Sequence, residues 1–198
     1  MVGSQELEIA NIVGSGKFDV ELDLAPIAED LSKLEEWFTE VEHSRREGNR
    51  LLIYFVGNDA LGILAPTGVY VFTGVSTFEE IENAKKKLLK GLSSLGIVSG
   101  VEPSETEIID EFAIQNLVCT ADVGKELNLN AISIGLGLEK TEYEPEQFPG
   151  LVYKPVGSNC TLLIFSTGKV VITGVKTIRV AKNEFENLIE KLEELGFI

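Results

Sequence analysis

Phe148 and Phe165 are the residues whose placement points most directly to a chemistry. A hairpin turn centred on Val156–Gly157 would set the two rings directly opposite each other on one face of paired strands. Pro149 follows the first ring and stiffens it. In a core this would be an ordinary aromatic pair. On an exposed face it would be a wedge able to enter a base step and kink DNA. Strand alternation puts Lys169, Val171 and Thr173 on one face of their segment and Val170 and Ile172 on the other, while Asn116 and Val118 share a face of theirs. Helices can cover only one side of such a sheet. The other side would present Val, Thr and Asn with a Lys at its rim, which is either a binding surface or a face covered by a second layer or a second copy.

Other chemistries have less to draw on. His43 is the only histidine and sits in a charged stretch read as helix, so a surface role fits it. Cys119 and Cys160 are the only cysteines; with no C-x-x-C they read as two free, half-buried thiols. A metal site or a serine-type triad is hard to assemble from this inventory. Asp122, Glu126 and the other carboxylates are scattered over expected helices and loops with no base–nucleophile pair. The expectation is a protein that is not an enzyme and uses no cofactor or metal. The formal net charge of −15 taken alone argues against nucleic acid, and suits a basic partner or simple solubility. A local face can differ from that global sum. No apolar run approaches the roughly 20 residues of a membrane span, and Met1–Glu8 lacks a signal pattern, so an intracellular protein is expected.

The elements that must position these residues occur twice. Val71, Thr73, Gly74, Val75, Thr77, Asn83, Leu88, Leu92, Leu95 and Gly96 recur as the same residue types at Val171, Thr173, Gly174, Val175, Thr177, Asn183, Leu188, Leu192, Leu195 and Gly196, a constant offset of 100. Ile9–Val13 resembles Ile114–Val118 at an offset of 105. Two copies are too few for a solenoid, so a pseudo-twofold domain is expected. Residues 1–100 form the first repeat and 112–198 the second. Residues 101–111, within the Glu-rich stretch Val98–Glu111, form the linker. Each copy reads as a strand (7–15, 112–120), a helix (25–46, 128–138), three strands (50–56, 60–65, 69–75; 150–155, 160–165, 169–175) and a closing helix (77–95, 177–195). The closing helices carry Ile81, Leu88, Leu92 and Leu95, then Phe185, Leu188, Leu192 and Leu195, with a 3.6-residue period. Gly96 and Gly196 are expected caps. The fold class is α+β, an antiparallel sheet with helices on one face.

The stretch Glu142–Lys154, read as EYEPEQFPGLVYK, resembles the stirrup signature of the TATA-box-binding protein family in its archaeal style. Leu162–Gly174 is similar to that family's second block, and Ile114–Val118 to its first strand. The resemblance spans essentially the whole chain and is most specific over 112–197. It implies two pseudo-symmetric repeats forming one curved sheet, a saddle with helices on the convex face, whose concave side binds the minor groove of AT-rich promoter DNA. It implies a general transcription initiation factor in the cytoplasm of an archaeal cell, associated with the nucleoid, that recruits the B-type initiation factor. A homodimer through the concave face is a further expectation for the DNA-free state. Within that frame Asn116 and Thr173 would donate to A N3 and T O2. Val118, Val171 and Leu163 would pack on the groove floor and penalise a guanine amine. Phe148, Pro149 and Phe165 would unstack a step, and Lys154 and Lys169 match family positions that reach phosphates. Glu144 and Glu146 match positions on the stirrup that docks the B-type factor, where acidic groups would meet a basic surface.

The first copy departs from the pattern. Asn11, Val13, Val71 and Thr73 are retained as DNA contacts. Gly48 and Ala65 stand where the rings would be, Val69 replaces the Lys, and Tyr54 stands at the Lys154 position. Glu35–Glu47 replaces the stirrup and reads as a lengthened helix in which Trp37, Val41 and their neighbours pack into the core, the alternative being that Trp37 and Phe38 take the wedge role. The alternative function is a diverged paralogue that keeps the B-type factor contact but binds DNA weakly, as a regulator or decoy.

Overall fold

A computed structural model describes residues 7–46, 48–98 and 112–198 of the chain. The expected linker, residues 101–111, lies outside the described residues. The chain divides into two compact units, one of residues 11–115 and one of residues 1–10 with 116–198.

The unit of residues 11–115 contains most of β1 (Glu8–Lys17), α1 (Leu24–Ser32), β2 (Phe38–Ser44), β3 (Arg50–Phe55), β4 (Leu61–Leu64), β5 (Val69–Val75) and α2 (Phe78–Ser94). Its strands lie in the order β2-β3-β4-β5-β1, every neighbouring pair antiparallel. The second unit contains most of β6 (Ala113–Asp122), α3 (Leu129–Leu136), β7 (Thr141–Glu142), β8 (Leu151–Tyr153), β9 (Thr161–Ile164), β10 (Lys169–Val175) and α4 (Ile178–Glu194), with strand order β7-β8-β9-β10-β6. The α+β class holds.

In each unit the helices pack on one face of the sheet, and the strands alternate accordingly. Leu51, Ile53 and Phe55 of β3 and Tyr70 and Phe72 of β5 point to the helices and are almost wholly buried. Ile81, Leu88 and Leu92 of α2 meet them, as the helical period predicts. The second unit repeats this with Leu162, Ile164, Val170 and Ile172 under Phe185, Leu188 and Leu192. Leu95 and Leu195 fall outside this core: they are the C-cap residues, and Leu195 is 43% exposed. The expected glycine caps form. Gly96 (φ 69°) and Gly196 (φ 73°) follow them, with N–H groups bonded to Ser93 and Glu193 carbonyls at 2.9 Å. The repeated Thr77 and Thr177 are N-caps, and Thr77 completes a capping box with Glu80.

The first copy's long helix is a correction. Residues 25–46 were expected as one helix, yet α1 ends at Ser32 and Phe38–Ser44 is an edge strand with six residues in register against β3. Charged residues there obscured a period of two: Glu40 and Glu42 point one way, Val41 and His43 the other. Pairing with a central strand outweighs the weak helical preference of such a segment. Phe38, 3% exposed, is the core residue, while Trp37 is half-buried with its ring edge-on to Phe38 at 6.5 Å. His43 is therefore on a strand, its Nε2 2.8 Å from Asn49 Oδ1. The second copy likewise has a fourth strand after its first helix, the short β7. Cys119 and Cys160 are free, as expected, but buried rather than half-buried. Among the described residues no helix is long and apolar enough to cross a membrane, and no cluster of His, Cys, Asp and Glu could hold a metal.

Candidate nucleic-acid interface

The sheet face turned away from the helices is partly exposed in both units and carries the same rows of side chains. Along one row of the second unit, directly opposite residues run Thr120, Val171, Leu163, Val152 and Glu142. In the unit of residues 11–115 the corresponding row is Ser15, Val71, Ile63, Leu52 and Glu42. Each row is an apolar floor of three residues with a hydroxyl at one end and a carboxylate at the other. Val71, Val171 and Leu163 thus stand where the sequence puts them. Ile63, Leu52 and Val152 were missed, although strand alternation from the buried Leu64, Leu51 and Leu151 identifies them.

Next to each floor sits an Asn–Thr pair built by a β-bulge. Ile172 faces Cys119 but Val175 faces Leu117, so Thr173 and Gly174 together oppose the single residue Val118. Thr73 and Gly74 oppose Val13 in the same way. Gly174 (φ 81°) and Gly74 (φ 88°) take the left-handed conformation the bulge needs. A side-chain carbon at Gly174 would also lie 2.5 Å from the Asn159 carbonyl oxygen. This is the physical reason for the repeated Thr-Gly.

The bulge aims the Gly174 N–H at Asn116 Oδ1 (2.9 Å) and the Gly74 N–H at Asn11 Oδ1 (2.8 Å). With its oxygen held, each amide turns its nitrogen to the neighbouring hydroxyl: Asn116 Nδ2 donates to Thr173 Oγ1 at 3.2 Å, and Asn11 Nδ2 to Thr73 Oγ1 at 3.2 Å. An amide nitrogen has two protons, so one remains to donate to a ligand. Asn11, Val13, Val71, Thr73, Asn116, Val118, Val171 and Thr173 are each half-buried.

The ends of the two faces differ. In the second unit the rings of Phe148 and Phe165 meet edge-to-face with centroids 5.8 Å apart. The pairing the sequence suggested is off by two residues. Leu151 faces Ile164, so Gly150, not Phe148, lies across from Phe165. The turn itself is centred on Val156–Gly157, with Ser158 N–H donating to the Pro155 carbonyl and Gly157 at φ 79°, but it sits off the midpoint of the loop between β8 and β9, so the strand register is displaced from a count taken about it. Phe148 instead reaches its partner from the turn 144–148, whose Glu144 carbonyl accepts from both Gln147 and Phe148 N–H groups at 2.9 Å. Phe148 is 38% exposed and Phe165 half-buried. Phe165, Pro149, Lys169, Val171 and Thr120 help line a depression of about 670 Å³. Lys169 and Lys154 are exposed, with Asp122 directly across from Lys169. Glu8 lies in the wall of the same depression. Glu144 and Glu146 are exposed on the turn, and Gln147 Nε2 donates to the Glu144 carboxylate.

In the unit of residues 11–115 neither ring is present. Ala65 and Gly48 stand near the hairpin end, and a side-chain carbon at Gly48 would touch nothing. Tyr54 and Val69 are exposed on this face, joined by Glu40 and Glu42 from β2. The hairpin tip carries Arg45, Arg46 and Arg50, none of which sequence reasoning selected. The helical reading of 25–46 hid the signal of Arg45 and Arg46, which lie within it, and of Arg50 just beyond it.

Comparison with known proteins gives a consistent result. The family model for transcription factor TFIID, or TATA-binding protein, matches residues 111–195. The chain is 41% identical to TATA-box-binding protein C of Halobacterium salinarum, over 96% of this chain and 98% of that protein. It is 36% identical to the TATA-box-binding protein of Archaeoglobus fulgidus, over 98% of each. The solved structure of Methanococcus jannaschii TBP superposes with a TM-score of 0.76 at 34% identity, covering 96% of this chain and 99% of that one.

Proposed function

The chain belongs to the TATA-binding protein family, and on that premise we propose that it is a transcription initiation factor that binds AT-rich promoter DNA through the open sheet faces and recruits the B-type initiation factor. The observation that carries the DNA reading is the repeated Asn–Thr pair beside an apolar floor. In the minor groove an AT pair offers only the acceptors A N3 and T O2, while a GC pair adds the guanine amine. The free proton of Asn11 and Asn116 meets the acceptors. The floors of Val71, Ile63 and Leu52 and of Val171, Leu163 and Val152 leave a guanine amine desolvated and unpaired, which disfavours GC. Phe148 and Phe165, with Pro149 behind them, form the wedge of the second unit. Lys154 and Lys169 are its phosphate contacts.

The exposed carboxylates Glu144 and Glu146 support docking of a basic surface on the B-type factor. The alternative, a diverged paralogue that keeps the B-type factor contact but binds DNA only weakly, as a regulator or decoy, is favoured by two observations: Glu40 and Glu42 on the face of residues 11–115, and the net charge of −15. Without DNA, the apolar floors are the surface through which a second copy would associate, read as a concentration-dependent mass in solution. The deciding experiment titrates labelled AT-rich and GC-rich duplexes over a salt series, with and without the B-type factor. AT preference supports the initiation factor, and weak DNA binding with the factor contact kept supports the paralogue. No AT preference even with the factor present rejects the promoter-binding reading.

A further inference from the structure

The two hairpin ends differ by a coordinated exchange of residues. In the second unit Leu151 faces Ile164, so the next pair outward is Gly150 with Phe165. Gly150 is buried, and a side-chain carbon there would lie 2.7 Å from the Phe148 ring and 3.0 Å from that of Phe165. With the two rings as they stand, any side chain at this place forces a ring to shift. In the unit of residues 11–115 Leu51 faces Leu64, so the equivalent pair is Arg50 with Ala65. The glycine has become arginine and the ring has become a methyl group, while Gly48 leaves the site of the other ring open.

Arg50 belongs to the open face. Its neighbour Leu51 is fully buried on the helix side, and across β2 Arg50 faces Ser44 rather than a carboxylate. Among the described residues the ion pairs of Lys33, Lys140 and Lys182 involve no arginine. Arg50 Nε is buried without a hydrogen-bond partner. Nε is closed off from solvent, so a ligand on the open face meets the terminal guanidinium nitrogens, which carry the undivided charge of the group. Arg45 and Arg46, both exposed, add charge at the same tip.

Resting on the DNA-binding reading above, we propose that Arg50 replaces the wedge: this unit places a guanidinium in the minor groove and leaves the base step beneath it stacked. The duplex is then kinked only in the half held by Phe148 and Phe165. Kinking is easy at pyrimidine–purine steps such as TA, whereas arginine favours the narrow, strongly negative groove of a stiff A-tract. Arg50 is thus a specificity-determining residue, and the preferred site combines one deformable half with one A-tract half.

The test uses the full chain and three AT-only duplexes, with TA steps in both halves, in one half with an A-tract in the other, or in neither. A 2-aminopurine reporter is placed in each half in turn. The expected result is that the one-step duplex binds within about twofold of the two-step duplex, and the duplex with no step about tenfold more weakly. The reporter on the one-step duplex brightens only in the half with the TA step. Arg50→Gln weakens binding and reduces the slope of log affinity against log salt by about one, and Arg50→Lys restores the slope. A one-step duplex about tenfold weaker than the two-step duplex, with both reporters bright on the latter, overturns the proposal. So does an unchanged slope in folded Arg50→Gln. Loss of all preference for these duplexes over GC-rich DNA would reject the DNA-binding reading itself, and this inference with it.

Discussion

Asn116 and Thr173 stand 3.2 Å apart, amide nitrogen to hydroxyl, and the contact recurs at the same distance between Asn11 and Thr73. In both places a glycine N–H on a bulge holds the amide oxygen, so the donor, not the acceptor, is presented to the open face. Replacing that donor should therefore matter more than replacing its shape. Asn116→Asp keeps an oxygen for Gly174 but sets a carboxylate against the acceptors of the groove. It should retain the wild-type melting temperature and lose about 1–3 kcal/mol of affinity for AT-rich duplex, at least as much as Asn116→Ala. Equal affinity of Asn116→Asp and wild type in a fluorescence anisotropy titration would remove Asn116 from the interface.

The wedge should act in one unit only. Phe165→Ala is expected to reduce bending of an end-labelled AT-rich duplex, read by energy transfer, far more than Ala65→Phe changes it. The second substitution adds a ring beside Arg50, where no glycine makes room for a partner. Equal small effects would place the DNA contact on another face.

Recruitment of the B-type factor should depend on the acidic turn. Glu144→Arg reverses a charge on an exposed carboxylate, with little expected effect on folding. The complex of duplex, this chain and the B-type factor should weaken on a native gel while the binary complex persists. Unchanged recruitment would sink the partner assignment.

Gly14 tests packing. A side-chain carbon there would lie 2.4 Å from the Phe112 ring and 3.0 Å from Ile81. That ring also stacks 6.2 Å from Tyr70 and lies under the Lys85 ammonium at 4.7 Å. Gly14→Ala should cost about 1–3 kcal/mol through overpacking, seen as a melting temperature lower by roughly 2–4 °C per kcal/mol. An unchanged melting temperature would mean that Phe112 swings away freely.

Burial pushes both thiols up. The Cys160 thiol is raised to about 12, by burial first and then by Glu184 and Cys119; the Cys119 thiol is raised by burial. Groups whose folded pKa is raised bind their proton more tightly in the folded state. Their contribution to stability is complete below the ordinary thiol range near 9 and is lost as pH rises from there, towards 12 for Cys160. Native protein at pH 8 should resist a thiol reagent, and both cysteines should react on unfolding in denaturant. Rapid labelling of the native chain at pH 8 would contradict the burial.

The duplicated scaffold was legible because its residues obey strong local rules: Thr77 and Thr177 as caps, Gly96 and Gly196 as helix stops, Leu88 and Leu188 on a helical period. Asn116 and Thr173 could be placed on one face, but the bulge that couples them could not, since it depends on an extra residue in one strand of a pair. Edge strand β2 escaped because Glu40, Glu42 and His43 make its alternation look like a charged helix, and only pairing with β3 decides the matter. The two-residue error in hairpin register had a similar cause. The turn at Val156–Gly157 is where the sequence puts it, but it lies off the midpoint of its loop, so counting pairs outward from it hid Gly150 and, in the other unit, Arg50.

The unlike hairpin ends bear on direction. A reader with identical halves sits equally well on a site and on that site turned end for end. With two rings in one unit and a guanidinium in the other, reversal puts the wedge over the stiff half and the cation over the deformable half, so both mismatches are incurred at once. On the proposed mode the DNA sequence itself then tells this protein which way is downstream, before any partner arrives.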